Sequence, residues 1–156
     1  MTQFSIRGIE KRDAEALLRL RNLDSDLKYF QTPEPVSALD HNAWVEERIK
    51  SCSDFTLVLE ANNVVLGVAY VNSLKDAEIA IRLDPLVRNQ GHAVILLKAL
   101  ENALAILNVP RLIAVIHKLN HRSLEFFESA KYIALENEGQ SSFIRLSKEL
   151  TIHKCL

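Results

Sequence analysis

The chain has 156 residues, of which 48% are hydrophobic and 25% charged, enough for one domain, spanning 1–156, with a core of its own. The formal net charge is −1 and no run of Lys or Arg forms a stripe, so the charge supports neither a nucleic-acid nor a membrane-surface role. The longest uninterrupted apolar run, Val64 to Val71, is too short to span a bilayer.

Gln3 to Ile9 alternates, with Phe4, Ile6 and Gly8 opposite Ser5, Arg7 and Ile9, and reads as an opening strand. Lys11 to Asn22 reads as a helix with Ala14, Leu17, Leu18 and Arg21 on one face. Leu23 to Pro35 reads as irregular and ends in the breakers Pro33 and Pro35. Ser37 suits an N-cap, with Asp40 three residues on to complete a capping interaction. A helix from Ala38 to Ser51 follows, carrying His41, Trp44, Val45 and Ile49.

Phe55 to Glu60 is a predicted strand, Asn62-Asn63 a tight turn with positive φ, and Val64 to Asn72 a long apolar strand. Ser73 to Asp76 turns the chain again into a strand at Ala77 to Leu83. Three strands on short turns make an antiparallel meander. A helix after residue 91 would carry Ala93, Leu96, Leu97, Leu100, Leu104 and Leu107 on one stripe and end at Asn108-Val109-Pro110. Arg111 to His117 is a buried-looking strand that should lie parallel, or nearly so, to Ala77–Leu83. Asn120 to Lys131 is a further helix, and two short strands, near Ile133 and at Ser142 to Leu146, close the chain. Cys52 and Cys155 stand far apart in no metal-ligand spacing and fit a reducing compartment. The opening Met1-Thr-Gln-Phe-Ser-Ile-Arg7 does not read as a signal peptide, and the expected location is the cytoplasm.

The segment most informative about chemistry is Leu83-Asp84-Pro85-Leu86-Val87-Arg88-Asn89-Gln90-Gly91-His92-Ala93. An apolar strand enters a polar loop that opens straight into a helix. The first N–H groups of that helix lack partners, and its dipole adds partial positive charge at the same spot. A phosphate or pyrophosphate fits there. Gly91 allows close backbone approach, and Ala93 is small enough not to obstruct it.

Arg88-x-x-Gly91-x-Ala93 matches the acetyl-CoA signature of the GCN5-related N-acetyltransferase (GNAT) family, Arg/Gln-x-x-Gly-x-Gly/Ala. The stretch Asn120-His-Arg-Ser123-Leu-Glu-Phe126-Phe127-Glu-Ser-Ala130-Lys131-Tyr132 resembles its second signature, at the right separation, and the order of elements also resembles that family. The resemblance implies an α/β (α+β) fold: a mixed, mostly antiparallel sheet of six to seven strands with about four helices, splayed between strands 4 and 5. It implies that acetyl-CoA is the co-substrate, with no metal, and that acetyl passes to a primary amine by direct attack in a ternary complex. The backbone N–H groups of Gln90, Gly91, His92 and Ala93 would hold the pyrophosphate. Backbone groups around Ile81 and Leu83 would pair with the pantetheine arm, Asn120 would hydrogen-bond it, and Ser123 and Phe127 would line it. Arg88 would position the loop or meet a phosphate.

Two positions depart from the family pattern. A Tyr that protonates the leaving thiolate often stands where this chain has Phe127, and the Gly of a closing Gly-aromatic pair is Lys131. The general acid is therefore open, and the base is either Glu78, on the strand entering the site, or His41. Asn22, Ser37, His41 and Trp44 resemble the branch that acetylates amino sugars on nucleotide carriers, which places Asn22 and Trp44 over the acceptor; Trp44 is otherwise a core anchor. The expected partner is a small-molecule amine, with no nucleic acid or membrane, and the chain a monomer or homodimer. Two other readings are an acetyltransferase for a protein or ribosomal-protein N-terminus and a CoA-binding regulatory module without chemistry.

Overall fold

The computed structural model describes residues 3–51, 55–75, 77–136 and 141–151. Cys52 and Cys155, which carry the reducing-compartment expectation, lie outside the described residues, as does Asp76 in the second meander turn. Seven strands form one sheet: β1 (Phe4–Gly8), β2 (Phe55–Ala61), β3 (Val64–Val71), β4 (Glu78–Leu83), β5 (Arg111–His117), β6 (Ile133–Ala134) and β7 (Phe143–Glu149). Their order is β1-β2-β3-β4-β5-β7-β6. Every neighbouring pair is antiparallel except β4 and β5, which are parallel. Asn62 and Asn63, at φ 51° and 62°, close the β2–β3 hairpin as the Asn-Asn pair predicts.

The helices are α1 (Ala14–Arg21), α2 (Asp24–Leu27), α3 (Ala38–Lys50), α4 (His92–Ile106) and α5 (His121–Ser129), with 3-10 turns at Lys11–Asp13 and Pro85–Val87. The one-turn α2 falls within the stretch that the sequence presents as irregular; four residues are too few to show a helical period. Ser37 caps α3 as expected, accepting from the Asp40 N–H at 3.1 Å. The inner face of α3 differs from expectation. Arg48 is buried and Ile49 is 45% exposed. The Arg48 guanidinium donates to the Val71 carbonyl and to Asn72 Oδ1, and stacks on the Trp44 and Tyr70 rings. An arginine so satisfied holds a core position that an apolar period assigns elsewhere. Leu107 is half exposed rather than on the α4 stripe, because α4 ends at Ile106 and Asn108, at φ 59°, turns the chain away.

Two apolar cores flank the sheet. On one face Leu96, Leu97, Leu100 and Leu104 of α4 pack with Leu59, Ala69, Leu83, Leu112, Ala114, Phe127 and Leu146. Each such leucine contributes about 1.5–3 kcal/mol by leaving water. On the other face Leu17, Leu20 and Val45 from α1 and α3 meet Val58, Val65, Val68 and Tyr70. That second cluster draws on β2, β3 and β4 and takes nothing from β5 or β7, so on this face the junction with β5 is open.

Candidate functional site

β4 and β5 share only two register pairs, Glu78↔Ile113 and Ile79↔Ala114. Beyond them each strand stays paired with its outer neighbour, β4 with β3 as far as Gly67↔Leu83 and β5 with β7 as far as His117↔Phe143. Neither can lean toward the other without breaking a ladder, so sheet twist carries them apart. In a strand, successive residues turn their backbone groups to opposite sides. The Glu78 carbonyl and the Asp84 N–H bond to β3, whereas the Ala77 carbonyl bonds to β5. The alternation therefore aims the N–H and C=O of Ile81 and Leu83 into the gap, past the last rung. Gly67 keeps this edge in place, since a Cβ there would stand 2.5 Å from Leu83 Cδ2.

The chain then passes Asp84, which accepts from the Leu86 N–H and from Arg19. Burial works against its charge, but these two bonds prevail and hold its carboxyl below the ordinary range. Asn89 at φ 60° and Gly91 at φ 83° wind the loop tightly into α4. Gly91 offers no side chain to cap the helix, and an added Cβ would meet nothing within 4 Å. The first-turn N–H groups of α4 are thus left for a ligand.

Two grooves open here. The larger, about 580 Å³, is lined by Ile81, Leu83, Arg88, Asn89, Gly91 and Ala93 on one side and by Asn120, Arg122, Ser123 and Phe127 on the other. The smaller, about 280 Å³, lies in the gap itself, with Glu78, Ile81, Arg82, His117, Asn120, Ser123 and Phe127 among its walls. Tyr29, Phe30, Ile81, Arg82, Asn120, Ser123 and Phe127 line both.

Most of the sequence-predicted positions come together. The Arg88 guanidinium donates to the Leu83 carbonyl at 3.1 Å and to Asp26 of α2 at 2.6 Å, fastening the loop to strand and helix. Asn120 is the N-cap of α5, its Oδ1 accepting from the Ser123 N–H at 3.3 Å, which leaves its amide NH₂ toward the groove. The side chains of Gln90 and His92, whose backbone N–H groups were the expectation, point away from the groove, and the predicted side chains of Asn22, Trp44 and His41 lie elsewhere. Gln90 bonds back to the Leu86 carbonyl. The His92 ring packs on Phe4 at 4.0 Å, so only its backbone is offered to the groove. Asn22 clamps both backbone groups of Val36. Trp44 stacks on His41 and meets Tyr70 edge-on.

Of the two candidate bases, Glu78 lines the smaller groove. His41 is 5% exposed and lines neither groove. Burial, together with the charges of Arg82 and Arg21, pushes its pKa below the ordinary histidine value. Glu78, Ala80 and Arg82 alternate onto the sheet face that carries α1 and α3.

The sequence reading missed Tyr29 and Phe30, which come from the segment after α2, and Arg21, Arg82, Asn89, Arg122 and His117. Two adjacent aromatics in a polar, proline-ended stretch were the available signal for Tyr29 and Phe30. Tyr132 is no member of the site: it is buried and donates to Glu101, and burial with that carboxylate raises its pKa well above the ordinary range. Among the described residues, no group of three or more His, Cys, Asp or Glu is placed to hold a metal ion, and no helix is long and apolar enough to cross a membrane.

Comparison with known proteins follows the same outline. The family model described as "Acetyltransferase (GNAT) domain" matches residues 3–132. No curated protein matches the sequence. Among solved structures, yncA of Salmonella typhimurium with its cofactor acetyl-CoA superposes with a TM-score of 0.80 at 18% identity, over 99% of this chain and 98% of that one. A ribosomal-protein-alanine N-acetyltransferase from Brucella melitensis gives 0.80 at 21% identity, over 94% and 99%. The spermidine N-acetyltransferase of Vibrio cholerae, in complex with CoA and spermine, gives 0.80 at 16% identity, over 96% and 97%. At these identities the likeness is one of fold.

Proposed function

The chain belongs to the GNAT acetyltransferase family, and we propose that it transfers an acetyl group from acetyl-CoA to a primary amine. The observation that carries this reading is the edge of Ile81 and Leu83 that β5 leaves without a strand partner, its Leu83 carbonyl met only by the Arg88 side chain, which runs from the gap to the uncapped N-terminus of α4. Those residues fit the group. The edge offers alternating donors and acceptors to an amide-bearing arm, as another strand would. The α4 N-terminus, through the backbone of Gly91, His92 and Ala93, suits a pyrophosphate, with Arg88 and Arg122 adding charge at the rim. The Asn120 amide is free to donate to the arm.

Bound acetyl-CoA supplies an activated acetyl thioester. The protein's part is to hold an amine against it and to move two protons. Glu78 accepts the proton of the acceptor ammonium, directly or through water, and frees the lone pair for direct attack. The ternary arrangement supplies proximity, so no covalent enzyme intermediate is required. The Ile81 N–H, unpaired and aimed into the gap, stabilises the oxygen that gains charge. Phe127 carries no proton to give, and the Tyr29 hydroxyl, in the same two grooves, takes the part of general acid for the departing sulfur. Trp44 and Asn22 act one layer out, Trp44 beneath Tyr70 and Asn22 by fixing the Val36 turn. The acceptor is a small-molecule amine, and an amino sugar on a nucleotide carrier is the class proposed.

Turnover is tested by following CoA release with a panel of amines and by comparing Glu78→Gln with the wild type. Glutamine is nearly isosteric but cannot take the proton, so kcat should fall about 10²-fold or more while the Kd for acetyl-CoA stays unchanged. A variant within a few-fold of wild type would remove Glu78 as the base. No thermal shift with acetyl-CoA and no CoA release with any amine would remove the acetyltransferase reading itself.

A further inference from the structure

The smaller groove carries two cations that no carboxylate among the described residues neutralises. Arg21, at the end of α1, and Arg82, on β4, place their guanidinium carbons 4.3 and 4.8 Å from the centre of one ring, that of Phe30. Both line the groove. Arg7, Arg19 and Arg88, by contrast, each reach a carboxylate: Asp13 and Glu60, Asp84, and Asp26. Among the described residues, no carboxylate pairs with Arg21 or Arg82. Arg21 spends one bond on the Thr32 carbonyl at 2.8 Å, and among the described residues Arg82 has no side-chain hydrogen-bond partner. Arg21 Nη1 and Arg82 Nε are buried without a hydrogen-bond partner. A guanidinium has five donors in a fixed fork and cannot shed its charge. Two of them against one aromatic ring, with donors unmet, are a standing cost unless something negative joins them.

The surroundings agree. Burial and the neighbouring Arg82 lower the pKa of Arg21, and the same two cations contribute to the lowering at His41. The region therefore holds a positive potential of its own. Glu78 is the one carboxylate among the described residues lining this groove. It stands four residues before Arg82 on the same face of β4, about 13 Å along the strand. One end of the groove thus takes a proton, and the other presents two cations.

We propose that Arg21 and Arg82 form the acceptor's anion subsite: the amine acetylated by this protein carries an oxyanion, carboxylate or phosphoryl, several bonds from its nitrogen. This rests on the acetyltransferase reading and narrows it. Paired guanidiniums bind a carboxylate or phosphate oxygen pair with charge-assisted hydrogen bonds. The Phe30 ring, stacked on both, keeps the forks from swinging out to water. Polycationic amines are disfavoured, because their second charge would meet the pair head on.

The test compares matched amines. Glucosamine 6-phosphate is set against glucosamine, 6-aminohexanoate against 6-aminohexan-1-ol, and spermidine stands alone. Kinetics are read by CoA release, and binding by calorimetry in the presence of CoA. The anionic member of at least one pair should show a kcat/KM at least 30-fold higher, and whichever pair shows it separates phosphoryl from carboxylate. Arg21→Gln should abolish that ratio by raising KM for the anionic amine, with kcat less affected and the Kd for acetyl-CoA unchanged, and Arg82→Gln, whose residue lines both grooves, should raise that KM by a larger factor than it raises the Kd for acetyl-CoA. Arg82→Lys, which keeps the charge, should restore part of it, and circular dichroism verifies that each variant is folded. Neutral amines within threefold of their anionic partners in both kinetics and binding would overturn the proposal. So would a preference for spermidine, or arginine variants that weaken acetyl-CoA instead of the acceptor. The calorimetric comparison does not depend on turnover, so it decides the anion preference even if no tested amine is acetylated. Failure to bind acetyl-CoA at all would instead fall on the acetyltransferase reading.

Discussion

His41 shows how a single buried side chain leaves a mark on the whole stability curve. It is walled in by Trp44, its Nε2 finds no partner, and the charges of Arg82 and Arg21 add to burial in disfavouring its proton. Its folded pKa is therefore depressed below the ordinary 6.5. In the unfolded chain the imidazole takes up a proton near that pH, whereas in the native state it resists, so the unfolded state binds more protons. The associated stability is present above pH 6.5 and is lost as pH falls toward the folded pKa. Chemical denaturation between pH 7.5 and 5 should show stability declining with acidity, and His41→Gln should flatten the slope across that window. An unchanged slope would mean that the ring is wetter than its 5% exposure indicates. Side chains of this kind are the least legible part of the sequence. His41 and Trp44 sit at helical spacing in a polar segment, which is equally compatible with a pocket wall and with packing. Arg82 reads as the polar half of an alternating strand, and only the fold brings Arg21 to the same ring. Glu78 was within reach, because its position at the start of β4 and the alternation of that strand are both visible in the sequence.

The junctions between elements were easier to read, because turn chemistry is local. The Asn62-Asn63 hairpin and the Ser37 cap stand where residue types and spacing put them, and Asn120, read as the first residue of a helix, is the cap just before it. Lys131 is more instructive. It occupies φ 72° just past the end of α5, with the Tyr132 N–H reaching back to the Phe127 carbonyl, the arrangement in which helices usually stop on glycine. The family's glycine is missing here, but the left-handed backbone it serves is kept, and a residue with a Cβ holds it. Lys131→Gly should therefore raise stability by roughly 0.5–1 kcal/mol, the relief of strain offset in part by glycine's greater freedom when unfolded. A urea midpoint that stays put or falls would show that the lysine side chain contributes more than its backbone costs. Gly91 is the complementary case. The space around it is open, so Gly91→Val should fold, at a cost of about 1–2 kcal/mol for forcing a branched residue to φ 83°. Its two methyls project where an anion would rest on α4, and the Kd for acetyl-CoA should rise by at least tenfold in calorimetry. Unaltered affinity would reduce this loop to a turn.

For the arrangement of all the elements, hydrophobic period and connection length were enough to anticipate the meander, the parallel β4–β5 pair and two short closing strands. What they could not supply was which face of that pair stays uncovered, since this depends on where α1, α2 and the 28–37 segment lie against the sheet. On the α4 side one continuous apolar cluster holds residues of β4 and β5 alike, among them Ile79, Leu83, Leu112 and Ala114. On the opposite side the smaller cluster stops at β4. The divergence of the two strands is therefore a seam with a spine: packed along one face, open like the pages of a book along the other, and stitched by backbone only at its closed end. Such a seam can breathe by rotation about the spine without unpacking either half. Amide hydrogen exchange would register the motion. Ile81 and Leu83 should exchange quickly in the free protein and at least tenfold more slowly with acetyl-CoA, while Val68 and Ala69, inside the β3 ladder, hold their rates. Equal protection in both states would mean a rigid cleft. If the slowing is found, the substrate is also a splice: while bound it lends the protein the missing rungs of its own sheet, and on leaving it takes that cohesion with it, so that the loosening of the seam and the release of the product become one event.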